Sequence, residues 1–149
     1  MKPNFQPLLL LSLSALSLFS CGTREEQKPK ENYVNKTVFF EISPEFDYSG
    51  EEYAPVEFTV ILSAGITDIA TGEVTTLLDS TFHGSAHGFE ELVPSLFVQR
   101  LDSIQPEKEF AWYSYAVGAY HTVMFINNSY SKYETIDENE NELSVEVSY

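Results

Sequence analysis

The chain has 149 residues, 23 of them acidic and eight basic, and a formal net charge of −15. So few Lys and Arg cannot neutralise a phosphate backbone, which excludes nucleic acid as a partner. A single cysteine excludes an intramolecular disulfide, so the fold must rest on its core.

The first element is apolar. Leu8 to Phe19 is a run of 12 residues broken only by serines. Its length suits a signal-peptide core of about 7–15 residues and falls short of the roughly 18–20 a spanning helix needs. The run ends in Leu18-Phe19-Ser20-Cys21. That end resembles the lipobox of bacterial lipoproteins, with Phe19 bulkier than the usual small residue. The resemblance implies that residues 1–20 are a signal peptide removed before Cys21. It also implies that Cys21 is the lipid attachment residue, diacylglyceryl-modified on its thiol and acylated on its new amino group. Two or more acyl chains give stable anchoring, so the expected partner is a membrane, held through lipidated Cys21. The expected location is the outer membrane, facing the periplasm or displayed at the cell surface. Thr23-Arg24-Glu25-Glu26 resembles the surface-export signal of Bacteroidetes lipoproteins, and it also fits a plain solvated tether.

Residues 21–35 are rich in Glu, Lys, Gln and Asn, too polar to bury much surface, and read as a flexible tether. Residues 36–149 have the size of one domain. There only Lys36, Arg100, Lys108 and Lys132 face 20 acidic residues, a net charge of −16. Such a surface favours solubility and cationic or basic partners.

Period-2 alternation then dominates. Val38, Phe40 and Ile42 point one way, as do Val56, Phe58, Val60 and Leu62, with Glu57, Thr59, Ile61 and Ser63 opposite. Ala64-Gly65 suggests a bulge, and Thr71-Gly72 a hairpin turn into a strand over Val74–Phe82. Phe89 to Ile104 carries apolar residues at helical spacing, interrupted by Pro94; strand is favoured for Leu96–Leu101. Glu109–Val117 reads as strand, Gly118 as a turn, and Ala119–Ile126 as a further strand. Leu143, Val145, Val147 and Tyr149 alternate with polar residues and form the last strand. Ile104, Pro106 and Phe110 resemble the corner between strands E and F of fibronectin type III domains, although Phe110 lacks the hydroxyl of the usual tyrosine. The fold expected is all-β: a single antiparallel β-sandwich of about seven strands, immunoglobulin-like.

Candidate sites are sparse. His83 and His87 lie four apart, and His121 could join them on a metal, but Gly84 and Gly88 oppose the helix such a motif needs; no metal is assigned. Asp137-Glu-Asn139-Glu-Asn141 matches the first half of a calcium loop, without its Gly or its final Glu. Asp79-Ser80-Thr81 and Asp102-Ser103-Ile104 resemble Bacteroidetes O-glycosylation acceptors. Trp112, Tyr113, Tyr115 and Tyr120 crowd one stretch and are the candidate ligand-binding residues. Alternation sets Phe110 and Trp112 on one face and Tyr113 and Tyr115 on the other; one face is core, and the other can offer an aromatic platform. No nucleophile, zinc or phosphate-loop motif occurs, so no catalysis and no cofactor are expected. The expectation is a lipid-anchored, non-catalytic binding or accessory module for a protein or glycan. A structural component of an envelope complex and a periplasmic metal-binding protein are the alternatives.

Overall fold

The computed structural model describes residues 31–149. The signal segment, Cys21 and residues 21–30 of the tether lie outside the described residues. Seven strands run through the described chain: β1 (Val34–Ser43), β2 (Val56–Asp68), β3 (Val74–Ser85), β4 (Leu96–Ile104), β5 (Glu109–His121), β6 (Ile126–Thr135) and β7 (Glu142–Ser148). They form a three-stranded sheet ordered β4-β1-β7 and a four-stranded sheet ordered β3-β2-β5-β6.

The alternation read from the sequence explains the layers. Val38, Phe40 and Ile42 of β1 and Val145 and Val147 of β7 are buried from one sheet. Phe58, Val60 and Leu62 of β2 and Tyr113 and Val117 of β5 are buried from the other, and all share one core. Phe40 meets Tyr113 edge to face across the interface, with ring centroids 6.2 Å apart.

Gly65 sits at a register shift between β2 and β3, the bulge expected there. Gly72 adopts φ +71 in the β2–β3 turn, a left-handed conformation that suits Gly. The stretch after Phe89 divides in two. Phe89–Leu92 forms one helical turn, and Leu96 opens β4. Phe89 is fully buried against Phe58 and Tyr149.

Three expectations need correction. Gly118 does not mark a turn: β5 runs through it to His121, and the turn is Thr122–Phe125. The strand expected over Ala119–Ile126 is therefore the end of β5, the turn and the first residue of β6. Strand β6 carries no apolar period in the sequence, because it pairs only with β5 and is exposed at every position. The sandwich is also not wholly antiparallel, since β7 lies parallel to β1. After β6 the chain crosses to the other sheet over residues 136–141, so β7 runs the same way as β1.

That crossover is held by Lys36. Its position continues the inward register of Val38, Phe40 and Ile42, and the residue is 3 % exposed. Its Nζ donates to the carbonyl oxygens of Asp137 (2.6 Å), Glu140 (2.6 Å) and Glu138 (3.3 Å). Burial pulls the ammonium pKa down, and the carboxylates of Asp137, Glu140 and Glu138 oppose that shift. The acidic loop with a half-match to a calcium site thus encloses an internal ammonium with its backbone oxygens.

The two ends of the sandwich differ. At one, β1 begins, and the β2–β3, β4–β5 and β6–β7 connections lie together. At the other, here the loop pole, lie the long connections 44–55 and 86–95, the β5–β6 turn and Tyr149. The β4–β5 corner is tied by Glu109: its carboxylate accepts from Gln105 N at 2.9 Å, while Lys108 N and Glu109 N donate to the Gln105 carbonyl. Glu109 so supplies a side-chain bond that Phe110 cannot.

Candidate functional site

The loop pole carries two features. The first is a groove of about 600 Å³ between the 44–49 loop, residues 86–90 and Tyr149. Glu45, Asp47 and Glu90 bring three carboxyl groups to it, and Phe46, Tyr48 and Tyr149 bring three aromatic rings. The rings are positioned from below. Tyr48 packs edge to face on Tyr53 and Phe58, and its hydroxyl donates to the Tyr149 carbonyl at 3.1 Å. Burial raises the phenol pKa of Tyr48 and Tyr149, and the carboxylates of Glu45 and Glu90 respectively add to the shift. Asp47 is shifted down by its hydrogen bonds from Ser49, side chain first and backbone next. Phe46 itself is 61 % exposed.

The second feature is the β5–β6 hairpin tip. Val123, Met124, Phe125 and Ile126 are consecutive, apolar and exposed, Phe125 at 77 %. The tip is tied by hydrogen bonds. Thr122 donates from N and Oγ1 to the Pro55 carbonyl at 2.8 and 2.9 Å. Phe125 N donates to the His121 carbonyl at 2.9 Å, and Met124 N to His121 Nδ1 at 3.1 Å. Phe125 has φ +56, which costs a bulky side chain about 1–2 kcal/mol. Strain and apolar exposure therefore coincide on one residue, a combination that clusters at functional sites.

The four aromatic candidates from the sequence do not form one platform. Tyr113 is buried at 3 % exposure, and Tyr115 packs partly buried against the core. Trp112 and Tyr120 lie on the outer face of β5, eight residues apart, or about 26 Å at strand rise. Trp112 is instead joined by Tyr133 of β6, which alternation in β5 alone could not reveal; the rings stack at 5.6 Å and 29°.

The three histidines are engaged separately. His83 Nδ1 pairs with Thr59 Oγ1 at 2.9 Å, His87 Nε2 with the Gly50 carbonyl at 2.7 Å, and His121 with the tip. Among the described residues no group of three potential metal ligands comes together. Ser103 is presented on β4 with φ +61, its N–H held by Asn35 Oδ1 at 2.9 Å.

Tyr113 faces the rim between the sheets, where its hydroxyl donates to Glu134 Oε2 at 2.5 Å and Lys132 pairs with Glu134 at 3.0 Å. Burial first, then the bond to Glu134, pushes the Tyr113 phenol up to about 12. The raised value means that the folded state resists ionisation. Its contribution to stability is complete below about pH 10 and is lost as pH climbs through 12. Denaturant unfolding followed across that interval should show a shallower fall in stability for Tyr113→Phe than for the parent. An identical slope would remove Tyr113 as a source of the alkaline instability.

No family model matches the chain, and no curated protein or solved structure matches it either.

Proposed function

We propose that this chain is a lipid-anchored envelope lipoprotein that acts as a non-catalytic binding module and presents its loop pole to a protein partner. The hairpin tip Val123–Ile126 carries the reading. Four exposed apolar residues on a hydrogen-bonded, strained turn gain free energy when a partner's apolar pocket covers them. The groove at the same pole, with Glu45, Asp47 and Glu90, gives the partner its second character: a basic rim. Anchoring through Cys21 at the outer membrane, periplasmic or surface-exposed, is supported by the lipobox-like Leu18–Cys21.

The fold of this reading is immunoglobulin-like. The neighbours β4-β1 and β3-β2-β5-β6 match the order E-B and C′-C-F-G of such sandwiches, and β4–β5 is then the E-to-F corner. Strand β7 departs from that plan by lying parallel to β1. In this scheme the tip is the F–G loop, one of the loops that variable domains use for binding.

A second reading, a structural or assembly component, draws support from β6. This ten-residue edge strand is exposed throughout and can accept a partner strand, although Lys132 partly guards it. Site-specific photocrosslinking in native cells separates the two. A photoreactive residue at Phe125 should give one discrete adduct, lost when Val123→Ser and Met124→Ser are added, while the same group at Ser131 gives none. An adduct from Ser131 alone would replace the first reading with the second. No adduct from either position would remove both.

A further inference from the structure

The outer face of the four-stranded sheet holds a second depression, on the side where Trp112 lies. It measures about 380 Å³. Its aromatic wall is Trp112 stacked with Tyr133. The other lining residues are mostly polar: Ser63, Thr67, Thr76 and Ser114 with their hydroxyls, Asp79 with its carboxylate, and one apolar residue, Val74.

The strands explain why these groups converge. On β2 the bulge at Gly65 leaves no side chain beneath the indole, and a Cβ there would come within 2.7 Å of Trp112 Cζ2. The indole therefore lies down across the sheet. Ser63 pairs with Asp79 on one side and Ser114 on the other, which sets a hydroxyl, a carboxylate and a second hydroxyl in one row. Tyr133 pairs with Ser114 and closes the far side.

One group in this depression lacks the partner such a group normally has. Trp112 Nε1 is buried without an acceptor, the only such side-chain atom among the described residues. Buried polar atoms are rarely left so, and each calls for an explanation. Asp79 stands exposed beside it, its carboxylate engaged in none of the ion pairs among the described residues.

We propose that this depression is a binding site for a neutral saccharide. A pyranose has an apolar C–H face that packs on aromatic rings and a rim of hydroxyls that both donate and accept. The exposed ring of Tyr133, backed by the buried indole of Trp112, takes the first, and Asp79 with the serine and threonine hydroxyls takes the second. A phosphorylated or acidic sugar is disfavoured by Asp79 and by the absence of Lys or Arg from the lining. An apolar peptide would leave four hydroxyls unpaired. The site is independent of the loop pole.

The chain's single tryptophan is Trp112, so its emission reports on this site alone. The probes are the methyl glycosides of glucose, galactose, mannose, xylose and N-acetylglucosamine, titrated into the full-length protein. At least one should give a saturable change in emission. Asp79→Asn and Tyr133→Ala, checked for folding by circular dichroism, should each weaken that binding about tenfold or more. Phe125→Ser, at the loop pole, should leave it unchanged. No saturable change with any of the five sugars would overturn the proposal. So would binding that survives unchanged in Asp79→Asn.

Discussion

Replacing Lys36 with methionine is expected to destabilise the domain by about 3 kcal/mol, the range seen when a buried charged partner is removed and its counterparts are left behind. Methionine keeps the apolar stem and so isolates the head group. Three N–H donors vanish, and the carbonyls of Asp137, Glu138 and Glu140 lose a shared partner. The melting temperature should fall by roughly 10 °C or more for a domain of this size. The damage should also be local: amide exchange should accelerate most in residues 136–148, the crossover and β7. Lys36→Arg keeps the charge, but its planar fork suits three converging carbonyls poorly, and partial loss is expected. A methionine variant within 1 kcal/mol of the parent would mean that water replaces the ammonium at little cost.

The second large effect belongs to Gly65. Alanine there would press its Cβ against the Thr75 carbonyl oxygen and within 2.7 Å of Trp112 Cζ2. The oxygen is backbone in the paired strand, so it moves only if the bulge reorganises. A loss of about 2–3 kcal/mol is expected, in the range for overpacking a fitted site. Trp112 emission should shift to the red as the ring lifts toward water, which links the stability change to its cause. Gly118 is the matched control. It lies in the next strand, where a Cβ would meet nothing within 4 Å, and Gly118→Ala should cost nothing measurable. Equal losses at the two positions would assign the effect to glycine in strands generally and not to this contact.

These residues also mark how far the sequence could be read. The bulge at Gly65 and the turn at Gly72 were legible because each interrupts a strong apolar period. Gly118 misled because a glycine in β5 reads as a break, while the actual turn, Thr122–Phe125, has none of the usual turn residues. Strand β6 was invisible because its order comes from pairing with β5 and hardly from burial. Lys36 sits at the inward register of β1, yet its residue type pointed to solvent; only the crossover loop, more than 100 residues later, makes the position intelligible. The aromatic candidates were half legible. Alternation separated Trp112 from Tyr113, but Tyr133 came from a strand that the sequence did not announce.

The parallel placement of β7 has a mechanical consequence. Strand β1 lies between β4 and β7, hydrogen-bonded to both, and its N-terminal end is at the pole opposite the hairpin tip. A pull between residue 34 and the loop pole therefore runs along the strand axis. It loads both ladders of β1 in shear, so that many hydrogen bonds must fail together. A pull across the sheet would instead unzip them singly. A domain held from its N-terminal side and tugged at its far end is thus strained along its strongest direction.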